Sequence, residues 1–135
     1  MKRILSGIVV AALSVTGVPV SAHADEPTSG QEGTKCISLQ RIQSTEVIDK
    51  QHILFRLTRH DMYVNTLSHP CPGLRPNQPY MYSTSMSQLC SLDSITVLNQ
   101  VPFGFTAGAS CGLGTFEPID EEGVKELKAA AKANW

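Results

Sequence analysis

Four cysteines downstream of an apolar leader constrain this chain more than any other feature. Met1-Lys2-Arg3 opens it with positive charge, an apolar run from Ile4 to Val15 follows, and Ala22-His23-Ala24 supplies an A-x-A cleavage motif. Cys36, Cys71, Cys90 and Cys111 all lie beyond that cut. An even cysteine count in an exported chain points to disulfides, because the compartment is oxidising. Residues 1–24 are therefore read as a signal peptide cleaved after Ala24, with Ala22 as second choice. Ile4 to Ala24 is just long enough to span a bilayer, but Gly7, Gly17 and Pro19 weaken it and no basic stop-transfer flank follows. No membrane contact is expected after cleavage.

The remaining segment, Asp25 to Trp135, is the size of one domain and small enough to gain from cross-links. Two of the eleven basic residues, Lys2 and Arg3, leave with the leader, so nine remain against twelve acids, a net charge of −3. No basic stripe exists, which argues against nucleic acid as a partner. Residues 25–35 (DEPTSGQEGTK) hold no large apolar residue and read as a disordered lead-in. The folded domain is expected over 36–135.

Within it, apolar positions recur in short extended runs. Ile37, Leu39, Ile42, Val47 and Ile48 form the first, and Asp49-Lys50-Gln51 is a polar turn. Ile53, Phe55 and Leu57 alternate with their neighbours as in a half-buried strand. Met62 to Leu67 resumes the pattern after Arg59-His60-Asp61, predicting an antiparallel hairpin. His69 to Pro79 carries four prolines and reads as loop. Further short strands are expected at Tyr80–Thr84, Cys90–Leu98 and Leu113–Glu117, with Pro102 to Gly112 as a Gly/Ala-rich connection. One helix is expected over 120–134. Asp120 caps it, Glu121 and Glu122 suit its positive end, and Val124, Leu127, Ala131 and Trp135 share a face. Gly123 weakens its first turn. The expected fold is mainly β: a small antiparallel barrel or sandwich of about six strands with one C-terminal helix, cross-linked by disulfides.

Cys71–Cys90 and Cys36–Cys111 are the preferred bridges, the first flanking the Pro-rich loop and the second tying opposite ends of the domain. Two other connectivities stay open. Gly108-Ala109-Ser110-Cys111-Gly112 matches the G-x-S-x-G of a hydrolase elbow, but no histidine follows His69, so it is read as a turn around a cystine. The cysteines are 35, 19 and 21 residues apart, which is not zinc spacing, even with His52, His60 and His69 nearby in sequence. His60-Asp61 falls at a hairpin tip. Asp49 and Asp93 are read as turn-forming carboxylates that accept backbone N–H bonds. Arg41, Arg56 and Arg59 offer a small basic face with Lys50, which a solvated strand face explains as well, and Met62, Met81 and Met86 are consistent with core or rim filling. No catalytic, cofactor-binding or metal-ligating residue is assigned.

The order Cys36-Ile37-Ser38-Leu39, Cys71-Pro72-Gly73-Leu74, Leu89-Cys90-x-x-Asp93-x-Ile95, Cys111-x-Leu113 resembles a domain-of-unknown-function family of small exported bacterial proteins. The similarity spans about Cys36 to Phe116. It implies an exported location and a β-rich fold, and supplies no activity. The segment from Asp120 to Trp135 lies outside these motifs and is expected to be particular to this chain.

The expected function is that of a non-enzymatic periplasmic or secreted domain binding a protein or ligand of the cell envelope. An enzyme of unrecognised type is the alternative, and a small inhibitor of envelope-acting hydrolases is another, with His69 to Pro79 as its exposed loop. An enzyme needs a concave site with titratable groups in register, whereas a binder needs only an apolar patch or a protruding loop.

Overall fold

A computed structural model describes residues 32–134, so the leader, residues 25–31 of the expected lead-in and Trp135 lie outside the described residues. Nine strands and one helix follow in order: β1 Cys36–Ser38, β2 Ile42–Val47, β3 His52–Leu57, β4 Met62–Thr66, β5 Tyr80–Ser83, β6 Gln88–Cys90, β7 Ser94–Val101, β8 Gly104–Gly112, β9 Phe116–Pro118 and α1 Glu121–Ala133. They form three antiparallel sheets, ordered β2-β3-β4-β9, β5-β7-β8 and β1-β6. The protein is thus mainly β with a C-terminal helix, as the sequence indicates, but no closed barrel is found. The strand number exceeds six because β8 was read as a connection, and because β1 and β6 are separate strands of three residues each, too few to show a period.

One core lies among the three sheets. Ile53 and Phe55 of β3, Ile95 and Val97 of β7, Leu89 of β6 and Phe116 of β9 meet there. The Phe55 and Phe116 rings contact edge to face at 5.4 Å. A smaller core fills the other face of β3, where Ile48 and Leu54 pack under Val124 and Ala131 of α1, with Leu127 half-buried beside them. β3 is therefore covered on both sides, which explains why Ile53, Leu54 and Phe55 are all fully buried in succession.

The helix follows its sequence signals. Asp120 accepts a hydrogen bond from the Gly123 amide at 2.8 Å, a side-chain cap. Gly123 has a packing reason: a Cβ there would come within 2.8 Å of Ile119. Lys128 reaches Glu46 of β2 at 2.7 Å, and Arg56 of β3 reaches Glu121 at 3.2 Å. Within β4, Asn65 is the buried polar side chain among the described residues. It donates to the Gly114 carbonyl at 2.7 Å and accepts from the Gly114 amide at 2.9 Å, satisfying both ends of its amide. Residue 114 must be glycine, since a Cβ would lie 2.0 Å from the Thr66 carbonyl oxygen.

All four cysteines are bridged, but the pairs are Cys36–Cys90 and Cys71–Cys111. The preferred pairing of Cys71–Cys90 and Cys36–Cys111 is overturned. Cys36 does not close the far end of a sheet; β1 pairs with β6 so that Cys36 stands directly opposite Cys90. Cys111 is not in a connection either. It belongs to β8 opposite Ile95, so it faces the core, where Cys71 is fully buried.

Candidate interaction hairpin

The β7–β8 hairpin grows out of a charge-free run, Ser94 to Phe116, with no acid, base or histidine. Its inner part is packed, with Ile95 and Val97 buried. β5 covers β7 only as far as the Tyr80–Val97 pair, and the last tie on that side is the Leu98 amide donating to the Pro79 carbonyl at 2.9 Å. From 99 to 107 every residue is exposed. Among the described residues this distal stretch is a two-stranded ribbon without a third strand.

Local sequence builds the ribbon. Pro102 presets φ for the turn, and Gly104 supplies the positive φ of 129° that follows it. On β8 an extra residue creates a bulge: Thr96 pairs with Ser110 but Leu98 with Ala107. Gly108 fits there because a Cβ would meet the Asn99 amide nitrogen at 2.8 Å. The tip carries Phe103, 102% exposed, and Phe105, 57% exposed, with Val101 beside them. Strand alternation puts Phe105, Leu98 and Met81 of β5 on one outward face. Sequence reading missed this ribbon, treating Pro102 to Gly112 as a connection. The Val-Pro-Phe-Gly-Phe run after a regular strand was the available signal.

The loop expected to protrude behaves differently. In 69–79, Cys71 and Leu74 are buried, the first fully and the second to 1% exposure. The Cys71 amide donates to the Lys50 carbonyl at 2.7 Å, and Gln78 donates through its side chain to the Leu98 carbonyl. Pro72, Gly73, Arg75, Pro76 and Asn77 remain exposed around that anchored centre.

The other singled-out residues scatter. Ser110 lies on a strand rather than in a turn, its hydroxyl 2.7 Å from that of Thr96. His60 sits exposed at the β3–β4 tip, where Arg59 and His60 both take positive φ, and Asp61 pairs with Arg41 instead. Arg56 is held by Glu46 and Glu121. Asp93 accepts from the Cys90 amide at 2.7 Å, as a turn carboxylate should. Burial raises the pKa of Tyr80, with the neighbouring Thr45 side chain opposing it, and its buried hydroxyl has no hydrogen-bond partner among the described residues. Among the described residues no group of three or more His, Cys, Asp or Glu converges to hold a metal.

Asp49 does more than the turn requires. Its Oδ1 accepts from the Gln51 and His52 amides at 2.7 and 2.8 Å, and the His52 Nδ1 lies 2.8 Å from Oδ2. The pair borders a cavity of about 290 Å³, with Lys50, Gln51, Pro70, Ala131 and Asn134 completing its wall. The carboxylate orients the imidazole as in an acid–base dyad. Among the described residues no serine, threonine or cysteine lines the cavity to serve as nucleophile. The D-x-x-H spacing across the turn was its sequence signal.

A small two-disulfide β domain carrying a projecting apolar ribbon is the class of protein these features define. Its sequence belongs to a family of unknown function, DUF6491, whose profile matches residues 1–134. That match includes the C-terminal helix, so the helix is a family feature rather than particular to this chain. No curated protein matches, and no solved structure matches.

Proposed function

We propose that this chain is a non-enzymatic binding domain of the cell envelope, exported by cleavage after Ala24, and that the 99–107 ribbon is its contact. The observation that carries this reading is the exposure of Phe103 and Phe105 on a ribbon that none of the described residues covers. Scattered exposed apolar residues are ordinary, but two aromatics at one projecting tip are the kind of anchor that interfaces use. Two disulfides support an oxidising compartment, and no helix among the described residues is long and apolar enough to cross a membrane.

Capture from envelope extract tests the contact, with tagged Asp25–Trp135 as bait beside the Phe103→Ser/Phe105→Ser double variant. The reading expects a partner retained by the first and lost by the second; equal capture by both overturns it. Intact mass of the protein from its host tests export, and a species retaining Met1 contradicts it.

The Asp49–His52 pair in its cavity favours a second reading, an enzyme with His52 as general base. His52→Gln keeps the side chain polar and removes the imidazole. Loss of a hydrolytic activity found in the wild-type chain would support that reading, and an activity unchanged in the variant would remove it.

A further inference from the structure

The four outer edges of the two larger sheets are not alike. β2 carries Glu46, held by Lys128 and Arg56 at 2.7 and 3.8 Å. β9 is capped by Thr34, whose amide and carbonyl both pair with Phe116. β5 has four residues and follows Pro79. β8 has nine residues, and over 104–110 it carries no charge, no proline and, among the described residues, no backbone partner beyond β7. Proteins guard exposed edges with charge, proline, bulges or cover, because an open edge is a template for another strand. β8 has only its bulge near Gly108, and this leaves 104–107 free to pair. An isolated two-stranded ribbon is marginal in water, so the distal hairpin gains from a third strand.

From this edge we infer that the ribbon pairs with a second copy of this chain, by antiparallel addition of β8 to β8 about a two-fold axis. The inference rests on the reading of the ribbon as the contact, and names the partner. About a two-fold axis a residue on the axis meets its own copy, so a charge there would face a like charge at close range. The run from Ser94 to Phe116 has none, which is the condition self-pairing requires. A charged partner strand would find nothing complementary there. With the axis at Phe105, the two Phe105 rings lie side by side and Phe103 falls over Ala107 of the second copy. The two outward faces then continue as one six-stranded sheet. Four aromatic rings and a short strand pair fall at the small end of stable interfaces, so dissociation in the micromolar range is expected.

Sedimentation of the mature chain from about 1 to about 100 μM brackets that range. Wild type should pass from one chain to two over it. Phe105→Lys, which places a charge on the edge, should stay a single chain throughout, a weakening of at least about tenfold. Phe103→Ser should weaken the dimer less and in the same direction. Leu92→Lys, a still more exposed site outside the ribbon, should dimerise as wild type does. Circular dichroism of each variant confirms that it is folded. A wild-type chain still monomeric at the top of the range overturns the inference, and so does Phe105→Lys dimerising like wild type. If a monomeric chain captures an envelope protein through Phe103 and Phe105, the self-pairing falls and the binding reading stands. If the chain dimerises through the ribbon and captures nothing, the reverse holds.

Discussion

Two segments of this protein look alike in sequence and differ in structure. Residues 69–79 and 99–107 both contain proline and glycine, and both interrupt the strand pattern. The first is fastened at its centre by Cys71–Cys111 and by Leu74 in the core. The second has no such anchor, and its apolar side chains point to solvent. What separates them is where the large apolar groups go. A loop whose hydrophobic residues are buried is part of the scaffold, whatever its turn content. A ribbon that leaves two phenylalanines outside spends stability on contact with something else.

The sharpest way to break this comparison is to remove the anchor. Replacing Cys71 and Cys111 by alanine opens a loop with a sequence separation of 40, and urea unfolding should show a loss of about 4 kcal/mol. Next in size, Leu74→Ala should cost about 2–4 kcal/mol from the cavity it leaves. Phe103→Ser should change stability by no more than about 0.5 kcal/mol, since the ring touches water already. Equal costs at Leu74 and Phe103 would erase the distinction. Hydrogen exchange in dilute protein sharpens it further: amides of the distal ribbon should exchange at least about tenfold faster than those of Cys71 and Leu74.

The smallest effect lies where the packed sheet ends and the ribbon begins, at Tyr80 opposite Val97. Burial lifts its phenol above the ordinary 10.0, against the lowering effect of Thr45. The neutral form is therefore favoured on folding. Its stabilisation is complete below the unfolded value and is lost as pH rises through the folded one. Tyr80→Phe should make stability flatter with pH above 10 than in wild type, by equilibrium unfolding across that range.

Much of the scaffold was legible in the chain. The alternation of Ile53, Phe55 and Leu57 marked β3, and Asp120 with Val124, Leu127 and Ala131 marked the helix and its buried face. Asp49 and Asp93 were readable as turn carboxylates because their chemistry is local. The cysteine pairing was not, since it depends on the register of β1 against β6, and strands of three residues carry no period. The ribbon was obscured by composition: Gly108, Ala109 and Gly112 suit a connection as well as a strand with a bulge. Its exposure is a tertiary fact, set by β5 stopping at Tyr80, and no local pattern records that.

The account turns on which of the two segments meets a partner, and a photoreactive side chain placed at position 103 or at position 75 asks this directly. Both positions are exposed, so both probes sample solvent equally. Irradiation in the intact host should give a cross-linked species from position 103 and none from position 75, two chains in mass if the ribbon pairs with its own copy. Adducts from position 75 alone would contradict the account, moving the contact to the anchored loop and leaving the ribbon without a role.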